Sequence, residues 1–531
     1  MAGVGIKFQN KKNYPLYERT MTGVSVAKTF KGFILLAPMI FIMTYILLDM
    51  YLLEGESARY SSRSLFIGTI VYMFVFALLH AGLFNSVLTR YLSDIIFQNR
   101  DQDILPCFYL ALMINVLVGV IPAVPFCIHE YIIGKVALYY VFTGFCGYIS
   151  MIIVYNAMLY IYAQKSFKML ALFFFIGMFF SFALSHVFVF ILHFDSMYSI
   201  LLALVIGLML IASLEIAVIR SYSSSNSRRY KSVLIYMKDN WRLMVANYAY
   251  LLGLYIHNFV FWQTSMHTVI VNTFYLMNQY DVAAFLSLFT NITGIIIFTE
   301  QLEKSFKFKF KAYIDSINGG RNHDIQLSKS FMFRQLADDI VSLCRMQFIF
   351  TVIIFFAANM LLPRLGYDST VMRIYPCLCV GFFMLFPMYG EVLSLYYFDD
   401  QKGAARTTVI FCSITCIVTM LATFLSPIWW GIGLVAGTFA AFCYGFMRLR
   451  WWSRHIDEFM FCQGTLLKKG VGKMPSNKVY DRSKEIKKEE KKQLKASSEK
   501  AEKYEMKVAA EKEMSAEASA NSDDLHQTVN K

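Results

Sequence analysis

Charged and polar residues lodged inside apolar stretches are where this chain could do chemistry. Arg90 and Asp94 lie four residues apart in the run Thr89-Arg-Tyr-Leu-Ser-Asp94. On a helix that spacing puts both side chains on one face, where they can pair. Such a pair serves either as a gate at a membrane edge or as an ordinary interfacial salt bridge. Glu215 and Glu391 each stand in an otherwise apolar run. A carboxylate there is costly, so it binds a cation or proton, or pairs with a neighbouring helix. Asn115, Asn156, His186, Asn247, His257 and Asn258 also fall within apolar runs. Pro122, Pro125 and Pro387 should bend their helices and turn backbone carbonyls toward a cavity. Tyr389, Tyr396 and Tyr397 offer faces on which sugar rings could stack, or they simply pack among helices.

No catalytic set accompanies these residues, and an enzyme is not expected. The sequence holds no G-x-x-x-x-G-K-[ST] loop, no H-E-x-x-H, no G-x-S-x-G and no Asp-rich glycosyltransferase signature. Ten cysteines form neither a CxxC pair nor a zinc-spaced cluster with the nine histidines. They read as small buried apolar residues. Neither a metal nor a cofactor is expected.

The elements that must position the polar residues are helices crossing a bilayer. A spanning helix needs roughly 20 mainly apolar residues. Twelve such stretches are present: Gly32–Leu53, Leu65–Leu88, Ile104–Ile128, Val136–Tyr162, Met169–Leu192, Ile200–Ile219, Leu243–Trp262, Ala283–Phe298, Val341–Leu362, Tyr375–Phe398, Thr407–Leu425 and Ile428–Met447. The eighth is short, and the seventh carries Asn247, His257 and Asn258. Hydrophobic residues make up 57% of the 531 and charged residues 16%, whereas a soluble chain carries about a quarter charged. Backbone at bilayer depth must satisfy its own hydrogen bonds, so the runs are helices. They lack the alternation of a membrane barrel. The expected fold is therefore an all-α membrane protein of about twelve transmembrane helices.

Charge sets the direction. Six Lys or Arg against one acid, Glu18, precede the first span, with no cleavage site of a removable signal peptide. Positive residues stay in the cytoplasm, which places the N-terminus inside and, after twelve crossings, the C-terminus inside too. The intervening loops agree: the inner ones hold Arg90, Arg100, Lys165, Lys168, the basic runs near 220–242 and 304–334, Lys402 and Arg406. The outer ones hold far fewer, and those near 195 and 265–280 hold none. The net charge of +14 is then mainly a topology signal and not a sign of nucleic-acid binding.

The polar linker 221–241 divides the spans six and six, a plan common among transporters built from two halves. The expected organisation is a cytoplasmic N-terminus over 1–31, a six-helix bundle over 32–220, and a second over 242–449. No residue-level repeat relates the halves. Within the second, 301–338 reads as a cytoplasmic segment. Leu302, Phe306, Phe310 and Tyr313 share one helical face there, as in an amphipathic surface helix or an extension of the eighth span. Residues 450–531 form a charged cytoplasmic tail rich in Lys and Glu, too poor in apolar residues to bury a core.

Five places, in order, resemble the PelG family of exopolysaccharide exporters, within the multidrug/oligosaccharidyl-lipid/polysaccharide flippase superfamily. They are Met1-Ala-Gly-Val-Gly-Ile6, Thr89–Asp94 with Ile104-Leu-Pro106, and the aromatic patch Phe259-Val-Phe-Trp262. Tyr280-Asp281 with Phe285-Leu286, and Leu302-Glu303 with Tyr313, complete the set. The likeness runs over about residues 1–455. It departs at His257-Asn258, where family members often carry an acidic–basic pair, and in the long Lys/Glu tail. The resemblance adds Trp262, Asp281 and Glu303 to the candidates for a transport path or gate. It implies a twelve-helix transporter of the cytoplasmic membrane that moves a growing amino-sugar polysaccharide outward. It also implies a cytosolic glycosyltransferase and further membrane subunits as partners. The competing expectation is a cation-coupled multidrug or lipid-linked-oligosaccharide antiporter of the same superfamily, with Glu215 or Glu391 as its essential acid.

Overall fold

The structure, a computed structural model, describes residues 38–52, 60–98, 100–164, 166–222, 226–288, 306–365 and 368–462. Helices dominate because the runs are long, apolar and free of strand alternation. In order they are α1 (Pro38–Leu52), α2 (Tyr60–Phe97), α3 (Ile104–Ile132), α4 (Leu138–Ala163), α5 (Phe167–Phe190), α6 (Ser196–Tyr222), α7 (Tyr230–Asp239) and α8 (Trp241–Trp262). A short antiparallel hairpin follows, β1 (Thr268–Ile270) with β2 (Phe274–Leu276), Ile270 opposite Phe274. Then come α9 (278–288 as described), α10 (Lys307–Gly319), α11 (Asn322–Leu361), α12 (Ser369–Tyr397), α13 (Gln401–Ala422) and α14 (Ile432–Cys462).

Ten helices among the described residues are long and apolar enough to cross a membrane, and α1 is a shorter apolar helix. They coincide with ten of the twelve expected spans. Of the other two, Gly32–Leu53 is represented by α1, and Ala283–Phe298 is described only to 288. Glu303 and the part of the expected tail beyond 462 lie outside the described residues, whereas residues 450–462, expected to begin that tail, continue α14 and bury Trp452 and Ile456 against the protein.

Three expected stretches look different in the structure. The linker 221–241 contains the helix α7, ordered because Val233 and Met237 are buried. The segment 301–338 is not one surface helix. It holds α10 and the start of the 40-residue α11, separated at Gly320. The aromatic face of α10 is covered by protein: Phe306 packs on Tyr397 and Phe398, and the Tyr313 hydroxyl donates to Asp457 at 2.7 Å. Third, the loop after α8 carries the hairpin, whose three-residue turn puts Val271 and Asn272 at φ 49° and 54°. A β-branched residue in that region is strained.

The span windows differ sharply in burial. Some 83% of the α12 window is buried and 11% of the α11 window, so α12 runs through the core and α11 along its apolar rim. Two buried hydroxyls are satisfied by bonding one turn back: Thr407 donates to the Gly403 carbonyl and Thr438 to that of Leu434. The helices continue through Pro122, Pro125, Pro376 and Pro387.

Candidate functional site

The seam between α2 and α8 gathers most of the candidate residues. The two helices run antiparallel, since Tyr72 faces Trp262, Phe76 faces Phe259, and Ser86 faces Leu243. Gly82 lets them approach. A Cβ there would sit 2.0 Å from Leu251 Cδ1, and the Asn247 amide donates to the Gly82 carbonyl.

One end of the seam, the hairpin end, is aromatic. Trp262 stacks on Tyr72 with ring centroids 5.2 Å apart and planes 6° from parallel. Phe76 stacks on Phe259 at 5.6 Å. The Tyr72 hydroxyl donates to the Tyr275 carbonyl at 3.2 Å and accepts from the Tyr275 amide at 3.0 Å. One phenol thus docks β2 onto α2. Trp262 Nε1 donates to both oxygens of Asp281 at 3.0 Å, and Asn258 Nδ2 donates to the same carboxylate at 2.7 Å. The Met277 amide adds a fourth bond. Burial pushes this carboxyl up to about 6, against the lowering effect of those donors. Beside it His257 is buried, with Nδ1 3.0 Å from the Tyr280 hydroxyl and no hydrogen-bond partner for Nε2 among the described residues.

The other end, the basic end, is ionic. Arg90 pairs with Asp399 at 2.7 Å, not with Asp94 as its spacing suggests. Asp94 instead accepts from the Tyr236 hydroxyl at 2.6 Å. Burial and the neighbouring Asp94 carboxylate raise that phenol above its ordinary range. Gln401 donates to Asn240 at 2.9 Å. Asp400 accepts from Arg448, from Trp452 at 2.7 Å and from the Gly403 amide. Burial opposes ionisation there, but these donors prevail and hold the carboxyl below its usual value.

Of the nine candidates from sequence, Asn258, Trp262 and Asp281 share one hydrogen-bonded cluster, with His257 adjoining it. Arg90 and Asp94 sit together at the opposite end. Glu215 and Glu391 belong to neither. Both are fully buried, and their carboxylate oxygens have no hydrogen-bond partner among the described residues. Glu391 faces Gly445 of α14, where a Cβ would come 2.2 Å from its Oε2.

Four participants escaped sequence reasoning. Tyr72 and the hairpin carry no motif. Asp399-Asp400 were legible as an acidic pair at the mouth of an apolar run whose flanks are otherwise basic. Asp49, buried in α1 with His186 3.9 Å away, was legible as an acid inside an apolar run. Among the described residues no three His, Cys, Asp or Glu converge as metal ligands.

The fold has solved counterparts. A MATE transporter of Vibrio cholerae, VcmN in its bent form, superposes with TM-score 0.55 at 11% identity, covering 82% of this chain and 99% of that one. A MOP-superfamily transporter from Pyrococcus furiosus gives 0.54 at 11% identity, over 81% and 96%. The MATE transporter ClbM, solved with Rb+, gives 0.51 at 13% identity, over 81% and 96%. At such identities the likeness is one of fold, that of a polytopic membrane transporter. Curated protein sequences give no match. The sequence profile of the PelG exopolysaccharide exporters (EPS-E) aligns with residues 1–461, nearly all of the helical region, and the chain belongs to that family.

Proposed function

We propose that the chain exports a Pel-like amino-sugar polysaccharide across the cytoplasmic membrane, with both termini in the cytoplasm and the basic end of the seam facing inward. The halves α1–α6 and α8–α14 act as two bundles, and the polymer passes along the seam between them. The observation that carries this reading is a seam tied at both ends by different chemistry: aromatic stacking and Asp281 at the hairpin end, Arg90–Asp399 at the basic end. Two closures on one interface are what a transporter needs to open its ends in turn. Aromatic faces such as Tyr72, Phe76 and Trp262 suit sugar rings, and the Asp281 carboxylate suits hydroxyl or amino groups. A cytosolic glycosyltransferase and other membrane subunits supply the chain at the basic end, an assignment that rests on the family alone. Deleting the protein should abolish secreted polysaccharide and leave cation-coupled drug efflux intact. Lost efflux with normal polymer would overturn the reading.

The antiporter reading draws support from Glu391 and Glu215, buried acids without hydrogen-bond partners among the described residues. Replacing Glu391 by Gln separates the two. Export largely retained is the outcome expected for a packed acid. Complete loss of export in a folded variant would favour ion coupling.

A further inference from the structure

Two adjoining cavities at the corner between α7 and α8 have the shape of an amphiphile. The first, about 610 Å³, opens at the basic end and is lined by Met237, Lys238, Asp239, Trp241, Arg242 and Met244. The second, about 340 Å³, is almost wholly apolar and continues along the seam, with Leu83 of α2, Tyr248 and Leu252 of α8, and Val409 and Cys412 of α13 in its wall. Trp241 and Met244 line both. A polar cup therefore runs into an apolar groove without a break in the wall.

Its position follows from the chain. The helix α7 is held between two spans, α6 ending at Tyr222 and α8 starting at Trp241, so it lies at a membrane surface. Its inward residues Val233 and Met237 are buried, while Leu234 and Ile235 are 47% and 51% exposed. Exposed apolar residues beside Lys231 and Lys238 mark an interfacial helix. Trp241, half exposed at the corner, is the amphipathic ring expected at headgroup level. The Arg242 guanidinium carbon lies 5.5 Å from its ring centre. The cup holds two cations and one acid, Asp239, a net charge suited to a single phosphodiester.

We propose that this corner binds one anionic glycerophospholipid of the inner leaflet, its phosphate between Lys238 and Arg242 and one acyl chain in the groove beside Leu252 and Val409. The proposal rests on the cup and its groove alone and does not depend on what the seam carries. Because Leu83 belongs to α2 while Val409 and Cys412 belong to α13, the acyl chain touches both sides of the seam. The lipid is then placed to influence how easily the seam moves.

The test is native mass spectrometry of the full-length protein in detergent with equimolar phosphatidylglycerol and phosphatidylcholine. The native chain should retain phosphatidylglycerol about thirtyfold over phosphatidylcholine, given about 1 kcal/mol for each of the two basic residues at an anionic surface. Joint replacement of Lys238→Gln and Arg242→Gln should bring the ratio near parity. Removing the same charge elsewhere at the basic end, by Lys168→Gln with Arg220→Gln, should leave it unchanged. Val409→Phe, which fills the groove, should lower retention of both lipids. Thermal midpoints identify any variant that fails to fold, and the single Lys238→Gln replaces the double variant in that case. An unchanged ratio in the cup variants would overturn the proposal. So would displacement of the lipid by inorganic phosphate at matched concentration, which would mark a soluble-anion site, or stronger retention of a lipid-linked diphosphate.

Discussion

The hairpin end and the basic end of the α2–α8 seam do the same job with different physics. At the hairpin end the links are stacked rings and a buried carboxylate held by neutral donors. Each aromatic pair contributes about 0.5–1.5 kcal/mol beyond the area it buries. At the basic end the principal link is Arg90–Asp399, whose side chains are 32% and 42% exposed. Ion pairs so open to water contribute about 0–1 kcal/mol and weaken with salt. By these magnitudes the Arg90–Asp399 pair is the weaker of the two ties. That ordering fits the proposal that the polymer enters at the basic end.

Breaking the hairpin end at its centre should have the largest effect. Trp262→Ala removes the stack on Tyr72 and the donor to both Asp281 oxygens, and leaves a hole where the indole lies. Truncating a buried aromatic residue costs about 3–5 kcal/mol, so the thermal midpoint should fall by several degrees. A cysteine placed at Val269 on the hairpin should become more reactive to a membrane-impermeant thiol reagent. An unchanged midpoint and unchanged labelling would mean that the hairpin is held elsewhere.

Asp281 gives the same end a pH dependence, and the sign follows from its raised carboxyl. The folded protein holds this proton up to about pH 6, higher than the unfolded chain, so protonation favours the folded arrangement. The hairpin end should tighten as pH falls from 7.5 through 6 toward 4, and loosen as pH rises through 6. Thiol labelling at position 269 should accordingly be slower at pH 5 than at pH 7.5, and Asp281→Asn should flatten the difference. Faster labelling at pH 5 would show that losing the charge-assisted bonds outweighs the cost of burying the charge.

Much of this arrangement is legible in the sequence. Ten spans follow from run length alone, because bilayer thickness imposes one dimension on every crossing. The pairing partners were not visible. Arg90 and Asp94 have a spacing that favours contact within one helix, yet Arg90 reaches Asp399 more than 300 positions along the chain. Local spacing states only what can pair, and tertiary packing decides what does. Asn258 entered as a polar residue in an apolar run and Trp262 and Asp281 as family marks, and the structure supplies the shared carboxylate that joins them. The hairpin escaped because two strands of three residues lie below any periodic signal, and it docks through contacts distant in sequence, the Tyr72 hydroxyl and the buried Phe274 ring.

The smallest effect is expected at Arg90, and it is the one that sharpens the comparison. Replacing Arg90 by Glu sets two like charges against each other at the mouth of the seam. With both side chains partly in water, the stability cost should stay within about 1 kcal/mol, far below that of Trp262→Ala. The opening equilibrium should respond more than stability does, because the pair joins α2 to the turn between α12 and α13. A cysteine near the basic end, for instance at Ser86, should label faster in Arg90→Glu, and the excess should shrink as ionic strength rises and screens the repulsion. Adding Asp399→Arg restores an attractive pair with its polarity reversed, and labelling should return to the native rate. If the double exchange labels as fast as the single variant, the pair does not close this end, and Asp94–Tyr236 with Asn240–Gln401 would be what holds it.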